Sequence, residues 1–179
     1  PMGDPAHGGL GWMPFDWGGE RVYGHDGGTI GQSSFMRILP SRKAAVALLT
    51  NGGMTGLLYR EMFGMIFERL AGIAPPPIPE APEGLQCDAA RYEGSYERIS
   101  SRIDVAASDG GLDLTVTPRK VLVPGTPPQV IHFKPVDERQ FVSAREGWTP
   151  PQLVTFGHFD AEGRAGSVFS GFRLNPRVR

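Results

Sequence analysis

The run Ile73-Ala74-Pro75-Pro76-Pro77-Ile78-Pro79-Glu80-Ala81-Pro82-Glu83-Gly84-Leu85 constrains this chain more than any other segment. Each proline fixes φ and removes a backbone donor, so neither a helix nor a central strand passes through it. Such a stretch takes an extended, polyproline-like path and acts as a semi-rigid spacer between folded units. At 179 residues the chain has room for one ordinary domain or two small ones, and the spacer selects two. The expected division is residues 1–73, a linker over 74–87, and residues 88–179.

Ahead of the spacer, short apolar runs punctuated by glycine read as strands over 9–15, 21–25, 34–39 and 44–49. Between the last two, Pro40-Ser41-Arg42-Lys43 is polar and starts with proline, which predicts the turn of an antiparallel hairpin. Ala45-Val46-Ala47-Leu48-Leu49 is apolar without alternation, the pattern of a strand covered on both faces. From Leu57 to Leu70 the spacing changes to helical. Leu58, Met62, Met65, Ile66 and Leu70 share the face expected to lie on the sheet, and Gly72 and Pro75 stop the helix.

Beyond the spacer the rhythm is period two, clearest in Leu112-Asp113-Leu114-Thr115-Val116, a strand with one wet face. Further strands are expected over 92–98, 102–106, 130–133, 140–144, 153–159 and 167–174, with hairpin turns at Asp109-Gly110-Gly111 and Asp160-Ala161-Glu162-Gly163. Short strands at this spacing predict a small antiparallel barrel or sandwich, and a barrel is favoured because closure removes exposed edges. The fold class is therefore α+β: antiparallel strands with one C-terminal helix, followed by a small all-β antiparallel barrel.

A formal net charge of -1 and a charged fraction of 21% provide no basic field for a nucleic-acid partner. No apolar run approaches the roughly 20 residues that span a bilayer as a helix. The lone Cys87 excludes an internal disulfide and a thiolate-rich metal site. His132 and His158 stand without clustered carboxylates or thiolates, so no metal is expected, and nothing calls for a cofactor. The first residues lack the cationic start and apolar stretch of a secretory signal, so any targeting segment is expected upstream of Pro1.

One segment carries a chemical signature: Tyr23-Gly24-His25-Asp26-Gly27-Gly28-Thr29-Ile30-Gly31-Gln32-Ser33-Ser34-Phe35. A titratable histidine at a strand end is followed by glycines whose backbone a large group can approach closely. Gly27 brings no blocking side chain, and Gly28 offers an N–H with little cover, the raw material of an oxyanion hole. The same residues are also compatible with a glycine-rich turn beside a half-exposed histidine.

In its longer context, the stretch from Gly9 to Gly53 resembles the final strands and helix of the serine β-lactamase and penicillin-binding-protein fold, close to class C-like members, esterases and D-peptidases. His25-Asp26-Gly27 resembles the family's Lys-Thr-Gly or His-x-Gly motif. Gly9-Leu10-Gly11-Trp12, Gly31-Gln32-Ser33-Ser34-Phe35 and Leu48-Leu49-Thr50-Asn51 resemble its neighbouring elements. The resemblance implies that His25 is the cation or donor beside the nucleophile, that Gly28 gives an oxyanion N–H, and that Asp26, Gly27 and Thr29 meet substrate. Asp26 replaces the hydroxyl residue often found there. An acid at this place opposes a substrate carboxylate, as in penicillins, and favours an ester or amide lacking one.

The family's nucleophile and activating lysine form Ser-x-x-Lys, with both side chains on one helical face. Here Lys43, Lys120 and Lys134 follow Pro40, Thr117 and Ile131 at that spacing. Tyr-x-Asn is absent as well, because Tyr23, Tyr59, Tyr92 and Tyr96 precede His25, Glu61, Gly94 and Arg98. The expectation is a piece of a serine hydrolase, inactive alone. It would leave Trp12, Phe15, Trp17 and a helix face bare for a partner, either the missing N-terminal part of the same protein or a second copy. Tyr92-Glu93-Gly94-Ser95-Tyr96-Glu97 resembles the opening of the lipocalin-like barrel appended to some of these hydrolases. A rival reading from another class is a binding or assembly module whose barrel holds an apolar ligand or a partner protein.

Overall fold

The structure, a computed structural model, describes residues 10–52, 55–119, 125–144 and 150–178. It divides into two compact units, and the change between them falls at Pro77 and Ile78, inside the proline run.

In the first unit, β1 (Met13–Trp17), β2 (Glu20–Thr29), β3 (Gln32–Leu39) and β4 (Ala44–Thr50) form an antiparallel sheet in sequence order, followed by α1 (Thr55–Ala71). Tight turns set the register. Gly18 and Gly19 both take positive φ between β1 and β2, and Asp16 Oδ1 accepts from the Gly19 N–H at 2.9 Å. Pro40–Arg42 makes a 3₁₀ turn closed by Lys43 in the left-handed region, as the polar proline-led segment predicts. α1 ends where Gly72, at φ +68°, donates to the Glu68 carbonyl at 2.9 Å.

Three expectations for this unit are corrected. First, α1 turns a different face to the sheet. Phe63 and Phe67 are fully buried, with Tyr59 in line one turn earlier, whereas Leu58, Met65 and Leu70 are exposed. The i, i+4, i+8 spacing puts the three aromatics on one face, and it is their large rings that take the interface. Second, Phe15 and Trp17 are buried, and Trp17 meets Phe67 edge-on at 5.2 Å between centroids; Trp12 is exposed. Third, β4 is covered on one face. Ala44, Val46 and Leu48 are half-buried, while Ala45, Ala47 and Leu49 are exposed, Leu49 to 81%.

Among the described residues the second unit is all-β apart from a 3₁₀ turn at Ala89–Arg91. Its strands are β5 (Gly94–Arg98), β6 (Ser101–Ser108), β7 (Gly111–Pro118), β8 (Gln129–Pro135), β9 (Gln140–Ser143), β10 (Leu153–Gly157), β11 (Ser167–Ser170) and β12 (Arg173–Pro176). They pair antiparallel in sequence order among the described residues. A Tyr96–Arg177 bridge and a Val178 N–H to Ser95 carbonyl bond of 2.8 Å bring the last strand back to the first, giving a nearly closed barrel. The single strand expected over 167–174 is instead the hairpin β11–β12, because Gly171 and Phe172 both take positive φ and reverse the chain. Inside, Tyr92, Tyr96, Phe133, Phe141 and Phe156 are buried, with edge-on contacts such as Phe141–Phe156 at 5.4 Å. The mostly antiparallel architecture with one helix and a barrel agrees with the α+β expectation.

Candidate functional site at the end of strand β2

β2 is longer than its sequence suggests and runs straight through the glycines to Thr29, so the segment is strand rather than glycine-rich turn. Its ladder with β1 stops at the Met13–Gly24 pair, whereas its ladder with β3 continues from Tyr23–Ile38 to Thr29–Gln32. His25, Gly27, Gly28 and Thr29 are exposed on this overhanging part.

Strand alternation then separates the expected site residues. Gly24 and Asp26 face α1, and His25, Gly27 and Thr29 face the other way. At the strand end a groove of about 460 Å³ is lined by residues 27–29 of β2, 32–34 of β3 and 49–51 at the end of β4. Gly27, Gly28 and Thr29 are thus brought together. His25, whose Cα pairs with that of Met36, lies just before the groove, and Asp26 is behind the sheet. Among the described residues the lining contains no charged side chain: glycine backbone, the hydroxyls of Thr29, Ser33, Ser34 and Thr50, the amides of Gln32 and Asn51, and apolar Leu49. Such a surface suits groups that are neutral or that seek hydrogen-bond donors. Gly27 fits because a Cβ there would stand 2.8 Å from Ser34 Oγ.

Asp26 has a different environment from the one expected. Arg37 donates to it through both terminal nitrogens, at 2.6 Å to Oδ1 and 3.1 Å to Oδ2. The same guanidinium donates to the Met36 carbonyl at 2.7 Å and the Tyr59 hydroxyl at 2.6 Å. Its Cζ lies 4.2 Å from the Phe15 ring centroid and 4.9 Å from that of Tyr59. Gly24 makes the slot, since a Cβ there would fall 2.7 Å from Arg37 Cδ and 2.3 Å from the Met36 carbonyl oxygen. Burial pushes the Tyr59 phenol up, and the neighbouring Arg37 charge opposes that rise. The Asp26 carboxylate is therefore matched by a cation from behind and presents no net charge to oppose a carboxylate on the other face, contrary to the expectation from its identity.

Arg37 and Tyr59 are the residues that sequence reasoning missed. The two-residue turn Ile30-Gly31, with Gly31 at φ +75°, places Arg37 opposite Gly24 and on the same face as Asp26, so counting back from it finds the pair. Elsewhere, His132 pairs with Asp113 at 2.8 Å and His158 with Ser167 at 2.7 Å. Among the described residues no three His, Cys, Asp or Glu side chains come together as metal ligands, and no helix is long and apolar enough to cross a membrane.

Penicillin-binding protein 4 of Amycolatopsis lactamdurans is 40% identical over 91 residues, which are 50% of this chain and 24% of that protein. Half of this chain thus has a penicillin-binding-protein homologue. The crystal structure of SurE with D-Leu covers 99% of the chain at 25% identity and a TM-score of 0.64, and the chain covers 40% of SurE. A second SurE crystal structure covers 99% at 23% identity and a TM-score of 0.66, with 39% of that chain matched. The fold is that of a SurE segment. No family model matches the chain.

Proposed function

We propose that this chain forms one wall of the acyl-transfer site of a serine hydrolase related to β-lactamases and penicillin-binding proteins, and that it is inactive alone. In this reading His25 is the donor or cation beside the reacting group, the Gly28 N–H is one arm of the oxyanion hole, and Gly27 and Thr29 meet substrate. The nucleophile and its base belong to polypeptide beyond these 179 residues, since no Ser-x-x-Lys or Tyr-x-Asn occurs among them. The observation that carries the reading is the overhang of β2 past β1, which among the described residues leaves a glycine-rich strand end open beside a groove lined by uncharged side chains.

The substrate is an ester, an amide or a lactam. With Asp26 held by Arg37, a free carboxylate is admissible on it. The crystal structure of SurE with D-Leu makes a D-configured amino-acid unit the first candidate for the groove. A filled aromatic core in the barrel weighs against the rival reading of a barrel that holds an apolar ligand.

The test is to incubate the chain with a chromogenic lactam and with short-chain nitrophenyl esters, first alone and then with a polypeptide bearing a Ser-x-x-Lys region of a homologue. Turnover is expected only in the mixture. Turnover by the chain alone that is blocked by serine-directed inhibitors would refute the assignment of the nucleophile elsewhere.

A further inference from the structure

We propose that Arg37 is a positioning residue for this wall: by gripping Asp26 from the α1 side, it holds the His25–Gly28 backbone in the register that presents His25 and the Gly28 N–H. The inference rests on the reading above, because only there does that backbone have a reacting group to meet.

Among residues 25–28, Gly27 and Gly28 carry no side chain and His25 belongs to the opposite face. Asp26 is the one side chain of the four directed toward α1. Glycine-rich strands specify their register weakly, and this end of β2 has no β1 ladder on its outer side. Its anchor is a guanidinium only 1% exposed, with a bidentate grip that a compact ammonium cannot reproduce. That guanidinium is itself locked between the Phe15 and Tyr59 rings and tied to the Tyr59 hydroxyl, so α1 and β1 set its position. Arg37 therefore transmits the packing of the covered face to the backbone of the open one. The Gly24 slot shows that the strand is built around it.

The test uses the whole 179-residue chain, labelled with ¹⁵N, as wild type, Arg37→Lys and Asp26→Asn. Arg37→Lys keeps the charge and loses the fork. Amide hydrogen exchange at the β2 positions between His25 and Gly28 that bond to β3 should accelerate about ten-fold or more, while the β3–β4 ladder from Phe35–Leu48 to Leu39–Ala44 stays near its wild-type rates. Asp26→Asn should give a smaller acceleration at the same positions, because the amide oxygen still accepts from Arg37. If β2 and the β3–β4 ladder accelerate equally, or if neither changes, Arg37 positions nothing and the proposal is overturned. Should Arg37→Lys fail to fold, Asp26→Asn decides by the same criterion. A separate titration of wild type with D-Leu, followed at the Gly27 and Gly28 resonances, bears on the groove: movement there supports a D-configured unit as its occupant, and no movement would overturn that assignment while leaving the exchange result intact.

Discussion

In the barrel, the first and last strands meet through the Tyr96–Arg177 bridge, and the inward side chains fill the space between them. In the sheet, one face is covered by α1, the other carries exposed Ala45, Ala47 and Leu49, and β2 overruns its neighbour. Both units obey the same alternation and use the same tight turns. They differ in what is left unpaired. A nearly closed barrel leaves little edge at which another molecule can add, whereas an overhanging strand end with glycines keeps one available. The proposed site accordingly lies on the less complete of the two units, and the barrel is the more self-sufficient.

The largest expected effect tests that self-sufficiency. Phe156 is buried at the centre of the barrel, against Tyr92, Tyr96 and Phe141 at centroid distances of 5.0, 5.8 and 5.4 Å. Phe156→Ala removes the shared partner of three rings and should destabilise the barrel by about 3–5 kcal/mol. Denaturant unfolding followed by near-UV circular dichroism measures it. A loss below about 1 kcal/mol would mean that the interior collapses around the change, and that the barrel is less tightly determined than its geometry indicates.

A smaller effect, confined to high pH, separates the two units by their tyrosines. Burial raises Tyr96 from its ordinary 10.0 to about 12, against the opposing Arg177 charge. Its hydroxyl donates to the Tyr92 carbonyl at 2.6 Å and accepts from Arg177 at 2.9 Å. Because the folded state holds this proton more tightly than the unfolded chain, the associated stability is complete below pH 10 and is lost as pH rises toward 12. Thermal melts across that window should show the barrel transition falling, and Tyr96→Phe should flatten the fall. Tyr59 on α1 and Tyr92 in the barrel core are shifted in the same direction by burial, so their contributions remain in the variant. An unchanged slope in Tyr96→Phe would place the alkaline sensitivity outside the barrel closure.

The barrel was the more legible unit because its information is local. Strict alternation in 112–116 and turn residues such as Asp109-Gly110-Gly111 state strand and reversal within a few positions. Phe172 gives no such signal, and its positive φ at the β11–β12 turn hid a hairpin inside one apparent strand. In the first unit the misreadings are tertiary. Two stripes on α1 satisfy helical spacing, and only the sheet's contour selects Tyr59, Phe63 and Phe67. The continuous apolar run of β4 reads as burial on both faces because sequence does not reveal whether a second layer is present. At the site, residue identity pointed to His25 through Thr29, while alternation divided them between two faces. The Arg37–Asp26 pair follows only once the Ile30-Gly31 turn fixes the register.

The smallest expected effect falls on the bare face, and there a null result is the informative one. Leu49 borders the groove and is 81% exposed, so Leu49→Asn removes little buried area and should shift stability by no more than about 0.5 kcal/mol. Melting temperature measured over a hundred-fold range of protein concentration provides the check. A substantial loss that grows with concentration would show that a second copy covers this face in solution, since only the assembled form is stabilised by mass action. The sheet would then be closed by association much as the barrel is closed by its last strand, and the groove at β2 would have to admit its ligand from within an interface.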